Sequence, residues 1–322
     1  MLDHLVMPPE GLTFPDGFET ALVAAADGLR IRMAFLPAGE AGKDAPSKGT
    51  VFVLQGRAEF IEKYGEVFGE LHARGFAIAT LDWRGQGGSD RQLRNPRKGH
   101  VEDFDDYLLD LDVLVVEAER RGLPKPFGVL AHSTGACIAL MAAGRGETPF
   151  RRMVLTAPLT GIAGLKFPGA ARVLARTLTS IGLSTFFVPG GGAQSVSEKP
   201  FEGNVLTSDR SRFETAHRWL AAEPSLAIGD PTIGWADAAF EAMAGFHEEG
   251  FGRLNRTPIL MLLAGADQVV DTVASEALAL RMRDASAILL PGSQHEILME
   301  NDAIRARFWV AFDAFMRLDA AP

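Results

Sequence analysis

Short, continuous apolar runs recur along the chain with helix-length segments between them, and this alternation restricts the fold more than any other feature. The runs are Thr50–Leu54, Ala77–Leu81, Phe127–Ala131, Arg152–Thr156, Ile259–Leu263 and Ala287–Leu290. They are continuous rather than alternating, as strands covered on both faces must be. Helical patterns lie between and after them at about Phe60–Arg74, Asp103–Arg121, Ser133–Gly144, Thr272–Arg283 and Ala303–Leu318. Parallel neighbours need such crossovers, so the predicted class is α/β, with a doubly wound, mostly parallel sheet. One hairpin opens it: Glu19–Ala25 and Leu29–Leu36 flank Asp27-Gly28, a strong turn signal. After it, Pro37–Gly49 reads as a solvated connection.

One interval breaks the rhythm. Residues 158–254 separate two strands that elsewhere lie far closer together, and a structureless loop of that length is unusual in a compact chain. The segment is therefore expected to be an inserted helical cap, with residues 1–157 and 255–322 forming a discontinuous core. Its apolar residues Leu165, Phe167, Leu174, Leu178, Leu183, Phe186, Phe187, Phe201 and Phe213 are expected to serve mostly as cap core. With 47% hydrophobic residues the chain can fill a large core. A net charge of −9 disfavours nucleic acid as a partner, because phosphate neutralisation needs a basic face. The single cysteine, Cys137, excludes a disulfide framework and multi-cysteine zinc patterns and fits a reducing compartment. The start of the chain lacks a secretory layout, and no apolar run approaches a bilayer span. A cytoplasmic location is expected, with no stable membrane insertion and at most transient contact with a membrane surface.

The run Phe127-Gly128-Val129-Leu130 leads into Ala131-His132-Ser133-Thr134-Gly135-Ala136 and then a helical pattern. Strand, sharp turn with a central serine, then helix is the context of a nucleophile elbow, and the small neighbours allow strand and helix to approach. An ordinary helix N-cap is the plain alternative for Ser133. A serine hydroxyl needs an imidazole to take its proton and an acid to orient that imidazole. Asp267 lies just past the run Ile259–Leu263 and His295 just past Ala287–Leu290, in the order Ser, Asp, His. Both sit at carboxyl ends of strands, where ligand chemistry in open α/β sheets is found. Asp271 is the reserve acid but is better placed to cap the helix near Thr272. None of His4, His72, His100, His132, His217 and His247 follows the last core strand, and His132 reads as local packing. Backbone donors for an oxyanion are expected at Thr134 and at Arg57, with Gly56 permitting the approach.

The segments Gln55–Tyr64, Leu81–Ser89, Gly99–Tyr107, the serine turn, Gly265-Ala266-Asp267 and Gly292–Glu300 together resemble an α/β-hydrolase of the bacterial lysophospholipase and monoacylglycerol lipase branch, grouped with the serine aminopeptidases. Gln55 stands where that family often has histidine, and Ala131 where it has glycine. The resemblance implies Ser133, Asp267 and His295 as catalytic triad, no metal and no organic cofactor. It implies a structural turn at Asp82-Arg84-Gly85, held by an Asp–Arg pair. Gly56, Glu59, Phe186 and Phe187 are assigned to substrate contact. The implied substrate is a small-molecule ester, an acyl lipid such as lysophospholipid or monoacylglycerol. Two readings compete with it. One is an aminopeptidase or amidase, which would need a cap carboxylate such as Glu198, Glu202, Glu214 or Glu223. The other is a non-catalytic binder using the same pocket. Arg57, Arg91, Arg94, Arg97 and Lys98 are cations that a phosphate headgroup could meet, although the last four read first as a solvated loop.

Overall fold

The computed structural model describes residues 2–38, 47–146 and 148–318. Most of the expected connection Pro37–Gly49 lies outside them. Eight strands form one sheet: β1 (Glu19–Ala24), β2 (Arg30–Leu36), β3 (Thr50–Leu54), β4 (Ala77–Leu81), β5 (Phe127–His132), β6 (Phe150–Thr156), β7 (Ile259–Ala264) and β8 (Ala285–Leu290). Their spatial order is β1-β2-β4-β3-β5-β6-β7-β8. The β1–β2 and β2–β4 pairs are antiparallel and every later pair is parallel. The fold is thus the doubly wound, mostly parallel α/β sheet that the alternation implied, and it suits the α/β-hydrolase resemblance. Central strands β3, β4, β5 and β7 are buried along their whole length, which explains their unbroken apolar sequence.

The core helices are α1 (Gly65–Ala73), α2 (Asp105–Arg120) and α3 (Thr134–Gly144), followed after the cap segment by α7 (Thr272–Arg281) and α8 (Asp302–Phe315). The segment between β6 and β7 carries α4 (Pro168–Leu178), α5 (Arg210–Ala222) and α6 (Ile233–Gly245). Its packing is divided. From α6 and the residue after it, Trp235, Ala238, Ala239, Met243 and Phe246 join the main core. From α5 and the turn beyond it, Trp219, Leu220, Leu226 and Ala227 form a second small core with Phe60, closed by Leu2, Val6, Leu12 and Phe14 from the chain's start. Among the described residues no helix is long and apolar enough to cross a membrane.

The expectation that the cap's apolar residues are mostly its core needs correction. Phe213 is buried, with the Phe201 ring packed on it at 5.5 Å, but Phe167, Leu174 and Phe186 are 74%, 54% and 57% exposed. Charge explains the orientation of α4. Its Arg172 and Arg176 turn toward Glu241 and Asp237 of α6, so Phe167, Val173 and Leu174 are left on the outside.

The turn after β4 is indeed structural, but Asp82 and Arg84 do not pair with each other. Asp82 accepts from Arg32 Nε at 2.7 Å and from the amides of Ile61 and Gly88 at 2.9 and 2.6 Å. Arg84 instead binds Asp110 and Asp27 at 2.8 and 2.7 Å. Arg32, fully buried on β2, also reaches Glu62 at 2.7 Å, so one guanidinium ties β2 to the segments that follow both β3 and β4. Removing one partner of such a cluster leaves buried charge unpaired. Arg32→Met is expected to lower unfolding free energy in urea at pH 7 by about 3–5 kcal/mol. A change below about 1 kcal/mol would show the cluster to be dispensable.

Candidate active site

Ser133 alone turns the chain between β5 and α3. Its φ of 51° and ψ of −112° are strained for a residue with a side chain. Hydrogen bonds hold the turn on both sides: Ser133 N–H donates to Thr156 O at 3.0 Å, and Ser133 O accepts from Cys137 N and Leu159 N at 2.9 and 3.2 Å. The hydroxyl makes no capping bond to α3, which sets it apart from an ordinary N-cap serine. Gly135 is required by distance, since a Cβ there would lie 2.4 Å from Leu54 O and 2.5 Å from Gln55 O. At Ala131, by contrast, a methyl group is accommodated, buried within the β5 ladder. Cys137, fully buried on α3, has its thiol pushed up by burial, as suits a packing residue.

Asp267 lies in the turn after β7 and His295 in the turn after β8. Asp267 Oδ1 accepts from the amides of Val269 and Val270 at 2.8 and 3.0 Å, while Oδ2 meets His295 Nδ1 at 2.8 Å. Burial alone would raise this carboxyl, but the bond to His295, its charge and the two amides outweigh burial and hold it below the usual range. An anionic Asp267 keeps the proton on Nδ1, which leaves Nε2 to accept from the Ser133 hydroxyl at 3.0 Å. Asp271 has the other task foreseen for it, accepting from Val273 N and Ala274 N as the cap of α7.

The loop after β3 approaches the serine closely. A Cβ at Gly56 would stand 3.3 Å from Ser133 Cβ and 3.1 Å from the His132 ring. Among the described residues, the backbone amides of Arg57 and Thr134 donate to no protein acceptor, so both remain available beside Ser133. Glu59 is not free for substrate, and its assignment to substrate contact is corrected. Its buried carboxylate accepts from Gly56 N, Tyr64 OH and Lys63 Nζ at 2.5, 2.8 and 2.8 Å. Burial opposes ionisation of Glu59, yet Lys63 outweighs it and brings the group down to about 2. Phe186 and Phe187 sit on the cap against Lys98, whose Nζ is 5.3 Å from each ring centroid. No described contact joins either ring to Ser133.

The matching family model, described as serine aminopeptidase, S33, spans residues 45–302. The chain belongs to this hydrolase family. It is 31% identical to lysophospholipase L2 of Escherichia coli (strain K12) over 270 residues, covering 80% of this chain and 76% of that one. It is 26% identical to the probable lysophospholipase L2 of Haemophilus influenzae over 276 residues, 84% of each chain. Among solved structures, monoglyceride lipase of Saccharomyces cerevisiae superposes with a TM-score of 0.74 at 18% identity, over 97% of this chain and 98% of that one. A monoacylglycerol lipase of Paleococcus ferrophilus gives 0.68, also at 18% identity, over 89% and 98%. Membership and relatives agree with the expectation of a carboxylic ester hydrolase.

Within this S33 frame, several residues around the site escaped the sequence reading. Lys63 bridges Glu59 and Glu296 at 2.8 and 2.6 Å, joining the loop after β3 to the residue next to His295. The i, i+4 spacing of Glu59 and Lys63 was a visible signal, but the long-range partner Glu296 was not. Gln86 braces the same loop, donating to Gly56 O and Glu59 O and accepting from Ala58 N. His132 packs its ring 4.8 Å from that of His295, and burial brings it down to about 4, so it is neutral at neutral pH.

Because Glu59 is depressed from 4.5 to about 2, its contribution to stability is fully present above 4.5 and is lost as pH falls toward 2. Glu59→Gln is therefore expected to destabilise the protein by about 2 kcal/mol at pH 7, with the gap to wild type narrowing below pH 4.5 in urea unfolding. A gap independent of pH would refute this role.

Proposed function

We propose that the protein cleaves the carboxylic ester of monoacyl lipids, a lysophospholipid or a monoacylglycerol, through an acyl-enzyme on Ser133. The observation that carries this reading is the line from Asp267 through His295 to Ser133, with spacings of 2.8 and 3.0 Å, beside two uncommitted amides. In it, His295 Nε2 takes the hydroxyl proton as Ser133 Oγ attacks the ester carbonyl. The amides of Arg57 and Thr134 receive the oxyanion. His295, protonated and steadied by Asp267, passes its proton to the departing alcohol. Water then gives a proton to His295 and attacks the acyl group, and return of that proton to Ser133 frees the fatty acid. These steps use protein groups and water alone.

The names of the relatives, lysophospholipase L2 and monoglyceride lipase, support the substrate class. Residues 158–254 serve in this reading as the cap. Its outward apolar residues Phe167, Val173, Leu174 and Ile181 suit transient contact with a lipid surface. The free, buried Cys137 is compatible with a cytoplasmic site of action. The aminopeptidase alternative is supported by the description of the family model, but the carboxylates named for binding a substrate amine already have partners. Glu198 pairs with Arg97, Glu202 and Glu214 with Arg210, and Glu223 accepts from Ser225 N.

Purified protein is expected to hydrolyse 1-monoacylglycerol or lysophospholipid, with Ser133→Ala reduced to background in a fatty-acid release assay. Turnover of aminoacyl amides alone would overturn the proposal. Asp267→Asn is expected to lower kcat by about 10⁴-fold through the wrong imidazole tautomer. Asp271→Asn should change kcat by less than about tenfold, since capping is its only task here. Equal losses in the two variants would contradict the assignment of the acid.

A further inference from the structure

Arg57 differs from the fully buried arginines of this fold, each of which is met by carboxylates. Arg32 is met by Glu62 and Asp82, Arg84 by Asp110 and Asp27, and Arg305 by Glu66 and Glu70. Arg91 has no carboxylate within 4 Å but spends its donors on four carbonyls, those of Pro96, Ser89, Gly87 and Ser225. Among the described residues the Arg57 guanidinium donates to one acceptor, Gly229 O at 2.8 Å, and its buried Nε has no partner. It lies against the Trp235 ring with Cζ 5.1 Å from the centroid, which orients the planar fork without neutralising it. The nearby acid Asp230 accepts from Gly192 N at 2.9 Å and acts on Arg57 through space, with no direct ion pair between them among the described residues. Burial lowers Arg57 to about 10, so it is still a cation at neutral pH.

Position gives this under-bonded guanidinium its meaning. The backbone amide of the same residue is one of the two free donors beside Ser133, so the side chain starts from the loop that approaches the serine and ends against Trp235 and Gly229. A second cation without a carboxylate partner is close by in the chain of contacts. Gly229 N–H donates to Arg97 O at 2.7 Å, and the next residue, Lys98, carries its ammonium over Phe186 and Phe187 with no described carboxylate within 4 Å. A fatty acyl chain offers nothing to such groups. What they can read is therefore the alcohol side of the ester.

We propose that the Arg57 side chain is a specificity residue that grips the phosphate on the glycerol of a monoacyl phospholipid, selecting it over the neutral monoacylglycerol. The inference rests on the ester-hydrolase reading above and narrows its substrate. A guanidinium fork matches two phosphate oxygens, and the spare Nε supplies one of the donors. The other route by which Arg57 could matter, as a strut from the core to Gly229 of the cap, would affect every ester alike.

The test compares lysophosphatidylglycerol with 1-monoacylglycerol of the same short chain, each below its micelle-forming concentration, and reads the ratio of their kcat/KM values. In Arg57→Gln the ratio is expected to fall about 10- to 100-fold, carried mainly by KM for the phospholipid. Arg57→Lys, which keeps the charge but not the fork, should retain an intermediate ratio. An unchanged ratio in Arg57→Gln, with both substrates slowed equally, would reduce the side chain to a strut and overturn the proposal while leaving the hydrolase reading intact. If the wild-type protein turns over neither ester, it is the hydrolase reading that fails, and this narrowing falls with it.

Discussion

The structure around the site depends on one strained residue. Ser133 occupies a conformation unfavourable to a side chain by about 1–3 kcal/mol, and the surrounding framework has to hold it there. It does so by placing β6 on one side, where Thr156 O accepts from Ser133 N, and the first turn of α3 on the other. The glycine at 135 then lets α3 rest directly on the carbonyls of Leu54 and Gln55 at the end of β3. These contacts bring three parallel strand ends to a common edge. The base and acid arrive at that same edge on the turns after β8 and β7, so the sheet sets the geometry of all three groups.

Buried charge then fixes the loops around that edge. The Glu59–Lys63–Glu296 bridge fastens the loop carrying the Arg57 amide to the residue beside His295. Two carboxylates sharing one lysine leave the cluster with an excess negative charge, which burial penalises. The compensation is dense hydrogen bonding, with Gly56 N and Tyr64 OH satisfying the remaining Glu59 oxygen. The segment between β6 and β7 is latched to the same region. Glu296 N–H donates to Leu206 O at 2.7 Å, and Glu300 accepts from Ser208 N at 3.3 Å and from Gln294 N at 2.7 Å. A displacement of that segment therefore acts on the turn that carries His295.

Local pattern made the sheet legible. Continuous apolar runs located six strands to within a few residues, and four of these are buried at every position, whereas β8, expected to be covered on both faces, leaves Ile288 and Leu289 43% and 51% exposed at the sheet edge. The elbow, the acid and the base were legible for a similar reason: each lies immediately beyond a recognisable strand, so position in the chain stands in for position in space. What escaped were partnerships over long separations. Asp82 and Arg84 are two residues apart and invited pairing, yet β2 brings Arg32 to the first and α2 brings Asp110 to the second. The outward face of α4 was misread because helical spacing reveals a stripe but not which way it points. That direction is set by Glu241 and Asp237 on another helix.

The central claim is that Ser133 is activated by His295 and forms a covalent intermediate. Intact-mass and peptide analysis after reaction with a fluorophosphonate probe measures this most directly. The account predicts one adduct per chain on Ser133, absent in Ser133→Ala and strongly slowed in His295→Ala. Labelling at another residue, or an equal rate of labelling without His295, would contradict it.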